Sequence, residues 1–100
     1  PFDISGSSAT YSNLSFSTTS QSTSPKCVLF NNNGSKMFVG SGSSVFQYST
    51  LAASPWSLNG LTYDSVSLNT GTSLQGMFIT PDQSELFLVT SVNDIVYRYA

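Results

Sequence analysis

Hydrophobic and polar residues alternate with a period of two along most of this chain, the spacing that sends successive side chains to opposite faces of a β-strand. Leu14 and Phe16 share one face of 11–18 and predict a strand there, following a loop over 1–10. Lys26 to Phe30, KCVLF, is a nearly continuous apolar run, as expected of a strand buried on both faces. NNNG at 31–34 places an Asn-Gly turn signal between two apolar runs, so a hairpin follows, with its return strand at Ser35–Ser41. Gly42 and Ser43 turn the chain into a further strand, Ser44–Ser49. The same reading gives strands at Leu61–Asn69, Leu74–Thr80, Ser84–Thr90 and Asp94–Tyr99. Pro81 suits the first central position of a type I turn. Gln83 stands where the earlier hairpin has Gly34, which predicts turns of different type. Helix is confined to one turn at most within 49–57, since Pro55 blocks more.

The pattern occurs twice. Met37-Phe38-Val39 answers to Leu86-Phe87-Leu88 at an offset of 49, and Val45-Phe46-Gln47-Tyr48 answers to Val96-Tyr97-Arg98-Tyr99 at an offset of 51. Tyr11, Leu14 and Phe16 match Tyr63, Val66 and Leu68, and Pro1-Phe2-Asp3-Ile4 matches Pro55-Trp56-Ser57-Leu58. The 100 residues therefore form a single unit of two repeats, about 1–54 and about 55–100.

Composition sharpens this picture. Hydrophobic residues make up 39%, enough for a core, but charged residues only 8%, against roughly 25% in an average soluble domain. The polar positions are filled by 21 Ser and 10 Thr. Hydroxyl side chains compete for backbone hydrogen bonds in helices, whereas Thr, Val, Tyr and Phe suit strands. The net charge is −2, and Lys26, Lys36 and Arg98 are the only cationic side chains, too few to neutralise a row of phosphates, so nucleic acid is excluded as a partner. No apolar run approaches the ~18 residues of a membrane span, so no membrane partner is expected. Cys27 is the single cysteine, which leaves no intrachain disulfide and no cysteine metal cluster. Its apolar neighbours mark it as a small buried hydrophobe rather than a nucleophile.

Four short strands per repeat at a period near 50 is the signature of a propeller blade. The run VLFNNNGSKMFV to VFQY, with FITPDQSELFLV to VYRY, resembles the repeats of YVTN-type and related seven-to-eight-blade β-propellers. It is also similar to propeller repeats of bacteriophage and metagenomic structural proteins. The chain lacks the Gly-His and Trp-Asp dipeptides of WD repeats, and has NNG and PDQ where related repeats favour Pro-Asp-Gly. The resemblance implies an all-β β-propeller built from two four-stranded antiparallel blades per chain. One blade, 26–69, is complete, with KCVLF innermost; the other combines 74–99 with strand 11–18 of a neighbouring chain.

Two blades alone leave apolar flanks and an unpaired edge, which closed association removes. Strand exchange is head-to-tail, so it closes into a ring or grows into a filament. Three copies are favoured, with four as the alternative, and certain small fucose-binding lectins of two-blade chains also close as trimers.

For chemistry the chain offers little. It has no histidine, which removes Ser-His and Cys-His nucleophilic systems and His-bearing metal sites. Among the carboxylates, Asp82 and Glu85 flank a hairpin turn, and the spacing of Asp64 and Asp94 suggests no catalytic pair. GSGSS at 40–44 precedes a strand rather than a helix, so it is no phosphate loop. The reading is of a non-enzyme with no catalytic, cofactor or metal residues. Phe2 and Trp56 follow prolines in equivalent loops; they either form stacking platforms for a sugar or plug the space between blades. With Asn93 and Asp94 in the turn at 90–94, they are the candidate ligand-binding residues. The function expected is a self-assembling propeller module, whether from a phage or environmental surface protein or an engineered propeller. The alternatives are a lectin-like carbohydrate binder with repeated sites and a piece of a longer single-chain propeller.

Overall fold

A computed structural model describes residues 13–71, 73–90 and 95–100. Within them the chain is all-β, with seven strands in two antiparallel sheets. The first sheet is a meander of β1 (Pro25–Phe30), β2 (Lys36–Ser41), β3 (Ser44–Ser49) and β4 (Thr62–Asn69). The second holds β5 (Leu74–Ile79), β6 (Leu86–Thr90) and β7 (Val96–Tyr99). The period-two segments place their strands within a residue or two of the positions the pattern predicts. Residues 13–18 are the exception and form no strand. A strand needs a neighbouring edge to satisfy its backbone groups, and alternation alone does not provide one. The stretch 49–57 holds turns and no helix.

The internal repeat holds at the level of backbone register. In β1–β2, Cys27 pairs with Gly40, Val28 with Val39 and Leu29 with Phe38. In β5–β6 the partners are Gly76 and Val89, Met77 and Leu88, and Phe78 and Phe87, each 49 residues on. Both pairs carry an irregularity at the same place, between Pro25 and Cys27 and between Leu74 and Gly76.

The two hairpin turns are also alike, which corrects the expectation of different types. Gly34 donates to the Asn31 carbonyl at 3.1 Å and Gln83 to the Thr80 carbonyl at 2.8 Å. Both residues are left-handed, at φ 73° and 61°. Side chains explain why Gln83 accepts a backbone conformation that disfavours it by about 1–2 kcal/mol. Asp82 Oδ1 accepts from the Ser84 amide at 3.1 Å just as Asn33 Oδ1 accepts from Ser35. Thr80 Oγ1 accepts from the Glu85 amide as Asn31 Oδ1 accepts from Lys36. These local bonds impose the turn on whichever residue occupies the left-handed position.

The core lies in two layers, one on each face of the first sheet. One face holds buried Met37, Val39 and Tyr48, packed against Phe30, Phe46, Tyr63 and, from outside the sheet, Phe16, Leu58 and Leu61. On the other, Val45 with Phe38 and Leu68 meets Leu74, Leu88, Met77, Leu86 and Tyr99 of the second sheet. The sheets approach closely at Gly40, where a Cβ would lie 3.3 Å from Leu74 Cδ1 of the second sheet and, within its own sheet, 2.6 Å from Cys27 Sγ. The second repeat has Val89 at the corresponding position. Gly40→Val is therefore expected to destabilise the fold by about 1–3 kcal/mol through overpacking, read as a lower urea midpoint; an unchanged midpoint would show that Cys27 and Leu74 give way without cost.

Candidate functional site

Of the four candidate ligand-binding residues, only Trp56 can be placed, since Phe2, Asn93 and Asp94 lie outside the described residues. Trp56 sits in the loop between β3 and β4 with left-handed backbone, φ 67°, and its amide donates to the Gly34 carbonyl at 2.9 Å. The indole rests on Gly34 so closely that a Cβ there would lie 2.5 Å from it. It also leans on Phe30, with ring centroids 5.4 Å apart. The side chain is nevertheless 55% exposed. Asn-Gly in this hairpin thus has a second use beyond the turn: absence of a side chain at Gly34 makes a seat for the ring. An indole held on one side and open on the other is an amphipathic surface suited to stacking.

A polar cluster occupies the first sheet on the face that bears Gln47. Asp64 accepts from Gln47 Nε2 at 2.8 Å and from Ser49 Oγ at 2.7 Å, while Lys36 Nζ lies 3.4 Å from it and 2.7 Å from Ser49 Oγ. Burial raises the Asp64 pKa, but hydrogen bonds from Gln47 and Ser49 and the Lys36 charge outweigh it and hold the carboxyl below its ordinary value. All members have partners inside the cluster, so it ties three strands together and presents no free reactive group. A carboxyl depressed in the folded state contributes stability above the unfolded carboxylate range, near pH 4, and loses it as pH falls through the folded value. Asp64→Asn is accordingly expected to lower stability at neutral pH and to flatten the acid limb below about pH 4. Parallel acid limbs for variant and parent in a urea–pH series would show that Asp64 does not carry this linkage.

Cys27, Asp82 and Glu85 are each held by contacts within the fold. Burial pushes the half-buried Cys27 thiol up, opposed by a hydrogen bond from the Gly40 backbone, the opposite of what an activated thiolate needs. Asp82 is held low by Thr80 and Ser84 in its turn. Glu85 pairs with Arg98 at 2.9 Å on an exposed edge. Among the described residues no three His, Cys, Asp or Glu side chains gather closely enough to hold a metal ion.

Among the described residues, both sheets leave apolar surface open. On the second sheet, the face turned away from the first bears Phe78 and Val96, 58% and 63% exposed, together with exposed Val89. The first sheet leaves an open groove of about 360 Å³ lined by Phe16, Pro25, Cys27, Val28, Val39 and Leu58. Val28 in this groove is 60% exposed, which corrects the expectation that KCVLF is buried on both faces: the chain itself covers only one. The sequence carried the signal in plain form, since Phe78, Phe87, Val89 and Val96 make one face of β5–β7 apolar and Met77, Ile79, Leu86 and Leu88 the other, and only one of these faces can meet the first sheet. Compared with known proteins, the chain matches no family model, no curated protein and no solved structure.

Proposed function

We propose that this chain is a non-enzymatic β-propeller module that completes itself by association with further copies, its two sheets serving as blades. One observation carries the reading: β5–β7 follow the pairing register of β1–β3, yet among the described residues the second sheet has three strands where the first has four. The edge of β7 remains open in the described structure, as an unfinished sheet would leave it. The segment that the repeat assigns to the missing position is 11–18 of another copy. Phe16, counterpart of Leu68, supports this assignment. Leu68 packs with the cluster containing Leu88, and Phe16 packs with the cluster containing Val39, the counterpart of Leu88. Phe16 thus packs on the first sheet of its own chain, on the side where the proposed assembly needs the outer strand of a preceding blade.

Since propellers have roughly four to eight blades, three copies closing six blades is the proposed ring, with four copies as the alternative. Native mass spectrometry at low micromolar concentration tests it. A single species of three or four chains supports the ring; a monomer, or a smear of sizes, overturns it. In the latter cases the missing blades belong to a longer chain or the sheets are not blades.

The half-open indole of Trp56 favours a second reading, a lectin-like module whose ring repeats one weak carbohydrate site in every copy and gains from avidity. Tryptophan fluorescence titrated with neutral sugars reports on it directly, because Trp56 is the only tryptophan. A spectrum indifferent to all sugars while a glycan array stays blank would remove this reading and leave the assembly role untouched.

A further inference from the structure

We infer that, if copies associate as proposed above, they do so by repeating between chains the face-to-face contact that each chain already makes within itself: the outer face of the second sheet, around Val89, seats on Pro25 and Val28 in the groove of the next copy's first sheet. The inference rests on the assembly reading and specifies its interface. Within one chain the contact is between the Gly40 face of the first sheet and the Leu74 and Met77 side of the second; a Cβ on Gly40 would meet Leu74 Cδ1 at 3.3 Å and Met77 Cε at 3.6 Å. The 49-residue correspondence turns Gly40 into Val89, Leu74 into Pro25 and Met77 into Val28.

Side-chain sizes change in opposite senses on the two sides of this contact. Inside the chain, an absent side chain at Gly40 faces the large Leu74 and Met77. Between chains, a larger Val89 would face the smaller Pro25 and Val28. The volume missing on one surface is supplied by the other, as close packing of an interface demands. The groove of about 360 Å³ beside Val28 is the room that Leu74 and Met77 fill in the internal contact. Other positions are matched without change of size: Phe38 corresponds to Phe87 and Val45 to Val96, and the first of each pair already packs against the second sheet. Both open faces are largely apolar, although the groove also holds Thr18 and Lys26 and the opposing face Arg98, so the occupant that fits each is the other face, carried by a second copy. The contact is head-to-tail and so propagates until a ring closes.

The test uses the full chain and sedimentation velocity across a concentration series, with far-UV circular dichroism to confirm strand content. Val89 and Val28 are both exposed in one chain, so charges there leave the fold of the protomer in place. Val89→Asp and Val28→Lys are each expected to weaken association at least about 100-fold, since each leaves an unpaired charge in an apolar contact. The double variant V28K/V89D, which sets the two charges against each other, is expected to recover at least about tenfold of that loss. As a second readout, C27S/V28C/V89C is expected to form disulfide-linked multimers on oxidation, seen on a non-reducing denaturing gel. A wild-type chain that associates while both single variants keep its affinity, or an oxidised cysteine pair that stays monomeric, overturns this interface and leaves the assembly reading standing. A wild-type chain that remains monomeric at every concentration overturns both.

Discussion

Tyr48→Ala is expected to lower stability by about 3–5 kcal/mol, the range for deleting a buried aromatic, and so to remove much of the ~5–15 kcal/mol that holds a small domain folded. Tyr48 is 0% exposed and stands at the centre of the layer that Phe16 covers. Phe16 meets it edge-on at 5.3 Å between centroids and Tyr63 lies 5.5 Å away, while its hydroxyl donates to Gln21 Oε1 at 2.8 Å. Removing the ring leaves a cavity that a stiff β-sheet closes poorly, and takes away the surface on which the 13–18 segment rests. Urea unfolding measures the first effect, and limited proteolysis within 17–24 measures the second. Tyr48→Phe keeps the packing and loses one hydrogen bond, so about 1 kcal/mol is expected. If alanine and phenylalanine cost the same, the ring is not what holds the segment.

Leu88→Ala is expected to destabilise by about 2–5 kcal/mol and acts on the other layer. Leu88 is 0% exposed and clusters with Val45 of the first sheet and Leu74 of the second. Its deletion hollows the contact between the two sheets and leaves the packing within the first sheet alone. The expected signature in hydrogen exchange is loss of protection in β5–β7 before β1–β3, because the first sheet keeps its cover from Phe16 and Leu58. Uniform loss of protection over both sheets would mean that they fold as one cooperative unit and that this contact is not the weaker joint.

These outcomes separate the two layers that matter for function. The Leu88 layer is the sheet-to-sheet contact complete within one chain, and the Tyr48 layer is the side on which another copy is proposed to sit. Phe16 and Leu58 already shield part of the Tyr48 layer.

Much of the fold was legible because β-structure writes itself with a period of two. Strand positions at 25–30, 36–41, 44–49 and 74–79 follow from local alternation and turn residues, which are properties of short segments. The doubling of the pattern likewise needed only comparison of the chain with itself. The candidate site was less legible. The half-open seat of Trp56 depends on a loop folding back on Gly34 across 22 residues, and no periodicity encodes that approach. The shared geometry of the hairpin turns was misread from Gln83, because the side chains of Asn31, Asn33, Thr80 and Asp82 set it rather than the residue in the left-handed position. Residues 13–18 have the alternation of a strand and do not form one in a single chain, because alternation says which face is apolar and not whether an edge is there to pair with.

The sequence by itself determined the β-class, the approximate positions of the seven observed strands, the two-fold repetition of the pattern and the scarcity of chemistry-bearing side chains, since all of these rest on residue identity and spacing. Only the tertiary structure decided which of two apolar faces each sheet buries, where the groove beside Val28 opens and which valines remain at the surface. The physical reason is that a strand apolar on both sides declares two surfaces to be covered, while the partner for each is chosen by how distant segments pack and how their volumes fit.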